Sequence, residues 1–160
     1  MAIHKLHLDE FDEVDYELIA IHTSLEDYRL AYYINQKLPV LLHKSKDGIQ
    51  ITIKEGETHF SRFTFEDAEK EIVWNLIQNK NEVTLQKKQS SQSLFADTAM
   101  EISTKVYLLP EFKKVDYFLK VENAQLSAAA ITKNINTIDR ISTVYKVDIQ
   151  QIKSKNNLIF

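Results

Sequence analysis

Slid against itself by 101 positions, the chain places Leu8, Glu10, Phe11, Val14, Asp15, Tyr16 and Leu18 on Leu109, Glu111, Phe112, Val115, Asp116, Tyr117 and Leu119 without a gap. Leu25, Ile34 and Asn35 then fall on Leu126, Ile135 and Asn136, so ten of the 28 positions from Leu8 to Asn35 are identical. Composition alone gives about two. A repeated supersecondary unit constrains the fold before it says anything of function. Each copy reads as strand, Leu-x-Glu-Phe turn, strand and helix. Val14, Tyr16, Leu18 and Ala20 alternate with period two, as do Val115, Tyr117, Leu119 and Val121.

The expected architecture is α+β: a mostly antiparallel sheet with two helices on one face, built from two pseudo-symmetric strand-strand-helix repeats joined by a β-meander. The chain reads as one domain over 1–160, with the repeats at 3–38 and 104–139, the meander at 39–87 and a polar linker at 87–93. A chain of 160 residues buries enough surface to stand without a staple.

Two glycines and two prolines leave few punctuation marks, so element ends come from periodicity. Strands are expected at Ile3–Leu8 and Val14–His22. Thr23 and Ser24 ahead of Glu26 and Asp27 suggest a capping box, with a first helix from Leu25 to Lys37. On it Leu25, Tyr28 and Tyr32 with, beside them, Leu30, Ala31 and Ile34 form a broad apolar stripe, in which Tyr28 and Tyr32 are expected to cover the sheet, while Tyr33 is the better interface candidate. Pro39 ends the helix and opens a buried strand at Val40–Leu42. Asp47–Gly48 marks a hairpin between Leu41–Lys44 and Ile49–Lys54. Ile72–Ile77 suits a strand better than a helix, with Val83–Leu85 as its hairpin partner. Later come strands at Ile102–Leu109 and Val115–Glu122, a helix from Gln125 to Ile138 and an extended tail through Val144–Ile149.

Composition removes several classes of function. Cysteine is absent, which excludes disulfides and thiolate metal sites and fits a reducing compartment. No stretch approaches a membrane span, and the first fifteen residues lack an apolar targeting core; the expected location is cytoplasmic. A net charge of -3 argues against nucleic acid as the main partner. The charge is uneven, -6 over residues 1–80 and +3 over 81–160, which fits two halves that attract within one fold better than a partner surface. Nucleophile elbows, phosphate loops and dinucleotide fingerprints are missing, so an enzyme is the minority reading and no cofactor is implied.

The second copy, Leu109-Pro110-Glu111-Phe112-Lys113-Lys114-Val115-Asp116-Tyr117, resembles the signature of the bacterial IPExxxVDY family, with Leu109 in place of isoleucine. The likeness extends along the chain and includes Trp74–Ile77. The family has no assigned activity, so the resemblance implies a class of uncharacterised cytoplasmic proteins and carries over no catalytic residue. Pro110 fixes the start of the turn, and Glu111 and Asp116 are suited to accept backbone N–H bonds that close the loop. Their duplication as Glu10 and Asp15 favours this structural role, since an active site seldom needs each member twice. A sharper reading brings Asp15 and Asp116 together on the pseudo-axis as a coupled or cation-binding pair.

Candidate motif and interface residues are thus Glu10, Asp15, Tyr16, Tyr33, Glu111, Lys113, Lys114, Asp116 and Tyr117. Asp12-Glu13 in the first copy stand where Lys113-Lys114 stand in the second, charges suited to pair within the fold or across a dimer. His4, His7 and Glu10 do not share a strand face, and His22 can meet His43 or His59 only through the fold, so no metal site is expected. Phe60, Phe63 and Phe65 around Arg62 read as sheet packing rather than a nucleic-acid platform. The leading expectation is a non-enzymatic interaction protein that binds a protein partner or itself as a homodimer. Its rivals are a ligand binder or enzyme with a site near Asp15 and Asp116, and an RNA-associated factor using Lys105, Lys113, Lys114 and Lys120.

Overall fold

The structure is a computed structural model that describes residues 15–54, 56–87 and 100–160. The expected strand at Ile3–Leu8, the first-copy turn with Glu10, Asp12 and Glu13, the histidines His4 and His7, and most of the 87–93 linker lie outside the described residues.

Ten strands and two α-helices are present among the described residues. In chain order they are β1 (Tyr16–Thr23), α1 (Asp27–Lys37), β2 (His43–Lys44), β3 (Ile49–Ile53), β4 (Gly56–Phe60), β5 (Arg62–Asp67), β6 (Ile72–Gln78), β7 (Lys80–Lys87), β8 (Met100–Tyr107), β9 (Tyr117–Glu122), α2 (Ala128–Asn136) and β10 (Ile141–Lys146). Six strands form one sheet in the order β10-β1-β9-β6-β5-β2, and every neighbouring pair is antiparallel. The passage β9-α2-β10 skips one strand, so α2 connects parallel strands across antiparallel β1, whereas α1 leads from β1 to β2 at the far edge and the chain returns through β3, β4 and β5 to β6. The α2 passage is a split β-α-β unit. The hairpins β3-β4 and β7-β8 form separate two-stranded sheets.

The fold class is as expected, α+β with both helices on one face. Ile19, Ile21, Trp74, Leu76, Leu119 and Val121 meet Leu30, Ile34, Ile131 and Ile135 in one core. The opposite face builds a second core, in which Leu18, Ala20, Ile77 and Phe118 lie under Leu108, Leu109, Val115, Val147, Ile152 and Leu158. Burying each such side chain contributes about 1.5–3 kcal/mol, so a sheet covered on both sides is much more strongly held than a one-sided one.

This two-sidedness has a consequence for the repeat. Tyr16 and Leu18 belong with the second core, whereas Tyr117 and Leu119 belong with the helix-side core. The antiparallel register decides the face: Lys120 lies across from Leu18 and Leu119 across from Ile19, so alternation turns Leu18 and Leu119 to opposite sides. The helices do correspond at that spacing, with Leu30 and Ile34 buried like Ile131 and Ile135. The two units therefore lie side by side through the β1-β9 pair, but their strands do not match position for position.

Several local expectations are corrected. The Asp47-Gly48 turn does not close a hairpin: β2 pairs with β5, and β3 pairs with β4. Gly48 is needed all the same, since it sits at φ +52° and a Cβ there would lie 2.8 Å from the Phe60 carbonyl oxygen. Val40–Leu42 is extended but not a strand, because the Asn35 side chain, rather than a neighbouring strand, takes both backbone groups of Leu42. Ile72–Gln78 is a strand, yet its neighbours are β5 and β9, and Val83 pairs instead with Thr104 of β8. The capping box does not form; Thr23 Oγ1 accepts from Leu25 N and donates to the Arg140 carbonyl. Helix α2 starts later than expected because Ser127 is its cap, accepting from Ala130 N. Of the expected stripe on α1, Leu25, Leu30, Ala31 and Ile34 are buried, but Tyr28 and Tyr32 do not cover the sheet.

Candidate functional site: the signature turn and the tyrosine face

Leu109–Tyr117 runs from the end of β8 through a single 3-10 turn, Pro110–Phe112, into β9. Its centre is a residue outside the motif. Asn79, fully buried between β6 and β7, donates from Nδ2 to the carbonyls of Phe112 (2.9 Å) and Val115 (2.7 Å) and accepts at Oδ1 from Leu109 N (2.9 Å). Its own N–H donates to the Asp116 carbonyl and its carbonyl accepts from Leu108 N. One amide side chain thus satisfies a turn that would otherwise bury its polar groups unmet.

Each polar member of the motif reaches a different distant segment. Glu111 accepts from Lys153 N, Ser154 N and Ser154 Oγ at 2.9, 2.9 and 3.0 Å. Burial alone would raise its carboxyl, but these bonds and one from its own backbone outweigh burial and hold it below the usual glutamate range. Asp116 accepts from Thr23 N at 2.9 Å and from Lys80 Nζ at 3.0 Å. The Tyr117 hydroxyl donates to the Leu25 carbonyl at 2.8 Å, just ahead of α1. Burial, then the charges of Asp27, Asp116 and Glu26, push its titration far above the ordinary tyrosine value. Leu109 and Val115 supply apolar anchors. The carboxylates work as hydrogen-bond acceptors for the backbone, not as an acid/base pair.

Asp15 and Asp116 are not brought together. The Asp15 carbonyl accepts from Asn123 N at one end of the β1-β9 pair, while Asp116 donates its N–H to the Ile21 carbonyl at the other. The six residue steps from Asp15 to Ile21 span roughly 20 Å at about 3.4 Å per residue. Lys113 and Lys114 are exposed; the Lys113 ammonium lies over the Tyr107 ring at 5.9 Å and the Lys114 carbonyl accepts from Lys80. They rim an open depression of about 370 Å³ lined by Pro110 to Val115 and Tyr145. Tyr16 is half-buried on the non-helix face, 5.1 Å from Lys120 Nζ, and burial raises its hydroxyl's pKa. His22 meets Tyr145 at 3.1 Å rather than His43 or His59, and among the described residues no three metal-ligating side chains converge.

A second feature faces solvent. On α1, Tyr28 and Tyr32 are 56% and 60% exposed, and Tyr33 packs edge-on against Tyr32 at 5.6 Å between centroids. One turn past Tyr32, Asn35 pins Leu42 inward, which turns Leu41 outward at 70% exposure. Leu41 borders a concavity of about 490 Å³ with His43, Thr64, Phe65 and Glu66. Sequence periodicity misses this surface because Leu30, Ala31 and Ile34 already complete a core stripe; a helix that needs only that stripe leaves its tyrosines outside.

No helix among the described residues is long and apolar enough to cross a membrane. No family model, no curated protein and no solved structure matches the chain.

Proposed function

We propose that the protein is a small non-enzymatic interaction module that binds a protein partner through the outer face of α1, with Tyr28, Tyr32 and Tyr33 as anchors and Leu41 at the margin. The observation that carries this reading is the exposure of two tyrosines, each beyond half of its surface, on a helix whose core contacts are already complete. Tyrosine offers large contact area with a polar tip and is enriched among binding hot spots. A cytoplasmic setting and membership of the IPExxxVDY family agree with this reading, through the missing cysteines and the Leu109–Tyr117 signature. The rival with a site between Asp15 and Asp116 is disfavoured by their separation along β1. The RNA reading loses Lys120, which is buried under Leu158.

Affinity purification at native expression tests the module, comparing wild type with the Tyr28→Ser/Tyr32→Ser double variant. A specific partner retained by wild type and lost by the folded variant supports it. Equal capture by both, or a partner that is lost only when Lys113 and Lys114 are changed, overturns it. Analytical ultracentrifugation in parallel tells whether the partner is a second copy.

A further inference from the structure

The face of the sheet away from the helices holds a cluster of polar and cationic side chains near the β5 side of its apolar centre. Register sets Lys120 of β9 beside Asn75 of β6, and Asn75 beside Thr64 of β5; Arg62 lies two residues along β5 on the same side. Lys120 is only 6% exposed, with Nζ donating to the Leu158 carbonyl at 2.9 Å and paired with Glu122 at 3.1 Å. Arg62 donates from Nη1 to Asn75 Oδ1 and from Nη2 to Ser45 Oγ, both at 3.0 Å. The Phe160 ring lies 5.0 Å from Arg62 Cζ and 5.0 Å from Lys120 Nζ.

Two cations therefore share one aromatic ring, and among the described residues Glu122 is the carboxylate that pairs with either of them. Taking charge out of water is costly unless it is paired and hydrogen-bonded. Cation–π attraction offsets part of that cost, but a ring face cannot accept the in-plane N–H of a guanidinium. Arg62 Nε is in fact buried without an acceptor. The groove thus holds a surplus of positive charge and an unmet donor under a residue that is itself 45% exposed.

We propose that this groove is an oxyanion-binding site for a carboxylate or phosphate group, and that the Phe160 ring is its displaceable occupant. Arg62 presents its Nε edge to the anion, in the planar geometry that suits both groups. Asn75 and Ser45 hold the guanidinium in place, and Lys120 supplies the second charge. Phe160 covers the cations when the anion is absent and swings outward when it binds.

Titration of the full chain with inorganic phosphate, and separately with acetate, followed by the Arg62 Nε–H and Lys120 amide resonances, tests the site. Saturable shifts are expected, and the arm that saturates at lower concentration identifies the group. Phe160→Ala is expected to bind about threefold tighter, since it removes a competing cation–π contact, whereas Arg62→Gln should not saturate. Absence of saturable shifts in both folded wild type and Phe160→Ala overturns the proposal. So does equal or weaker binding by Phe160→Ala, or unchanged binding by Arg62→Gln.

Discussion

Around the Leu109–Tyr117 turn, Glu111, Asp116 and Tyr117 each bond to a segment far away in sequence, whereas the tyrosines on the outside of α1 stand in solvent. Both regions draw the eye in the sequence, one by its repetition and the other by its aromatics. The structure separates them. A motif whose polar atoms are consumed in holding β1, α1 and the Lys153–Ser154 segment together has little left with which to meet a ligand. A helix face whose tyrosines lie largely in solvent is the one on which the proposed partner would dock. Specificity of a motif and location of a function are thus different properties.

The strongest way to break this comparison is at Asn79. Replacing it by Ala leaves Leu109 N–H and the Val115 carbonyl without a partner in a buried turn and takes one of two donors from the Phe112 carbonyl, which keeps Val115 N–H. Urea unfolding is expected to show a loss of about 3–5 kcal/mol, since each buried unmet group costs about 1–3 kcal/mol. A loss below about 1 kcal/mol would mean that the turn does not depend on its tie.

Glu111→Gln sharpens the comparison through pH. The carboxyl sits below its ordinary value in the folded chain, so its contribution is present above the unfolded value of about 4.3 and is lost as pH falls through the folded value. The variant is expected to be about 1–2 kcal/mol less stable than wild type near neutral pH, as for a charged acceptor with several donors. Unfolding midpoints measured down to about pH 3 should converge; a gap independent of pH would contradict the role given to the charge.

Tyr117→Phe, which leaves the Leu25 carbonyl without its donor, is expected to cost about 1 kcal/mol. Thermal unfolding reads it out. The smallest effect belongs to the other region: Tyr28→Ser/Tyr32→Ser should change stability by no more than about 0.5 kcal/mol per site, as for ordinary surface positions.

Much of this was legible in the residues and some could not be. Strand alternation placed Leu18 with Ala20 and Leu119 with Val121 correctly, and β-branched Ile72 and Val73 marked a strand. What alternation could not convey was that both faces of the sheet are covered. With both faces apolar, alternation carries no warning that the β1-β9 register turns Tyr16 and Tyr117 to opposite sides. Pairing partners were hidden for a similar reason. The β3-β4 and β7-β8 hairpins leave the main sheet, and nothing local to Asp47-Gly48 or Val83 distinguishes one antiparallel neighbour from another. Of the site, Glu111 and Asp116 are backbone acceptors as expected, but for distant segments rather than to close their own loop; the residue that closes it, Asn79, carries no signal because a single asparagine between two strands looks like a loop residue. Tyr28 and Tyr32 were misassigned because helical spacing identifies a stripe without saying how wide a stripe the core requires.

The central claim is that the Leu109–Tyr117 turn is architecture rather than a mobile functional loop, and native-state amide hydrogen exchange tests it most directly. Leu109 and Ser154 N–H, which donate to Asn79 and Glu111, should exchange with opening free energies within about 1 kcal/mol of Leu119 in the centre of β9, as members of one cooperative unit. Opening free energies several kcal/mol below that of Leu119, with the rest of the sheet still protected, would contradict it.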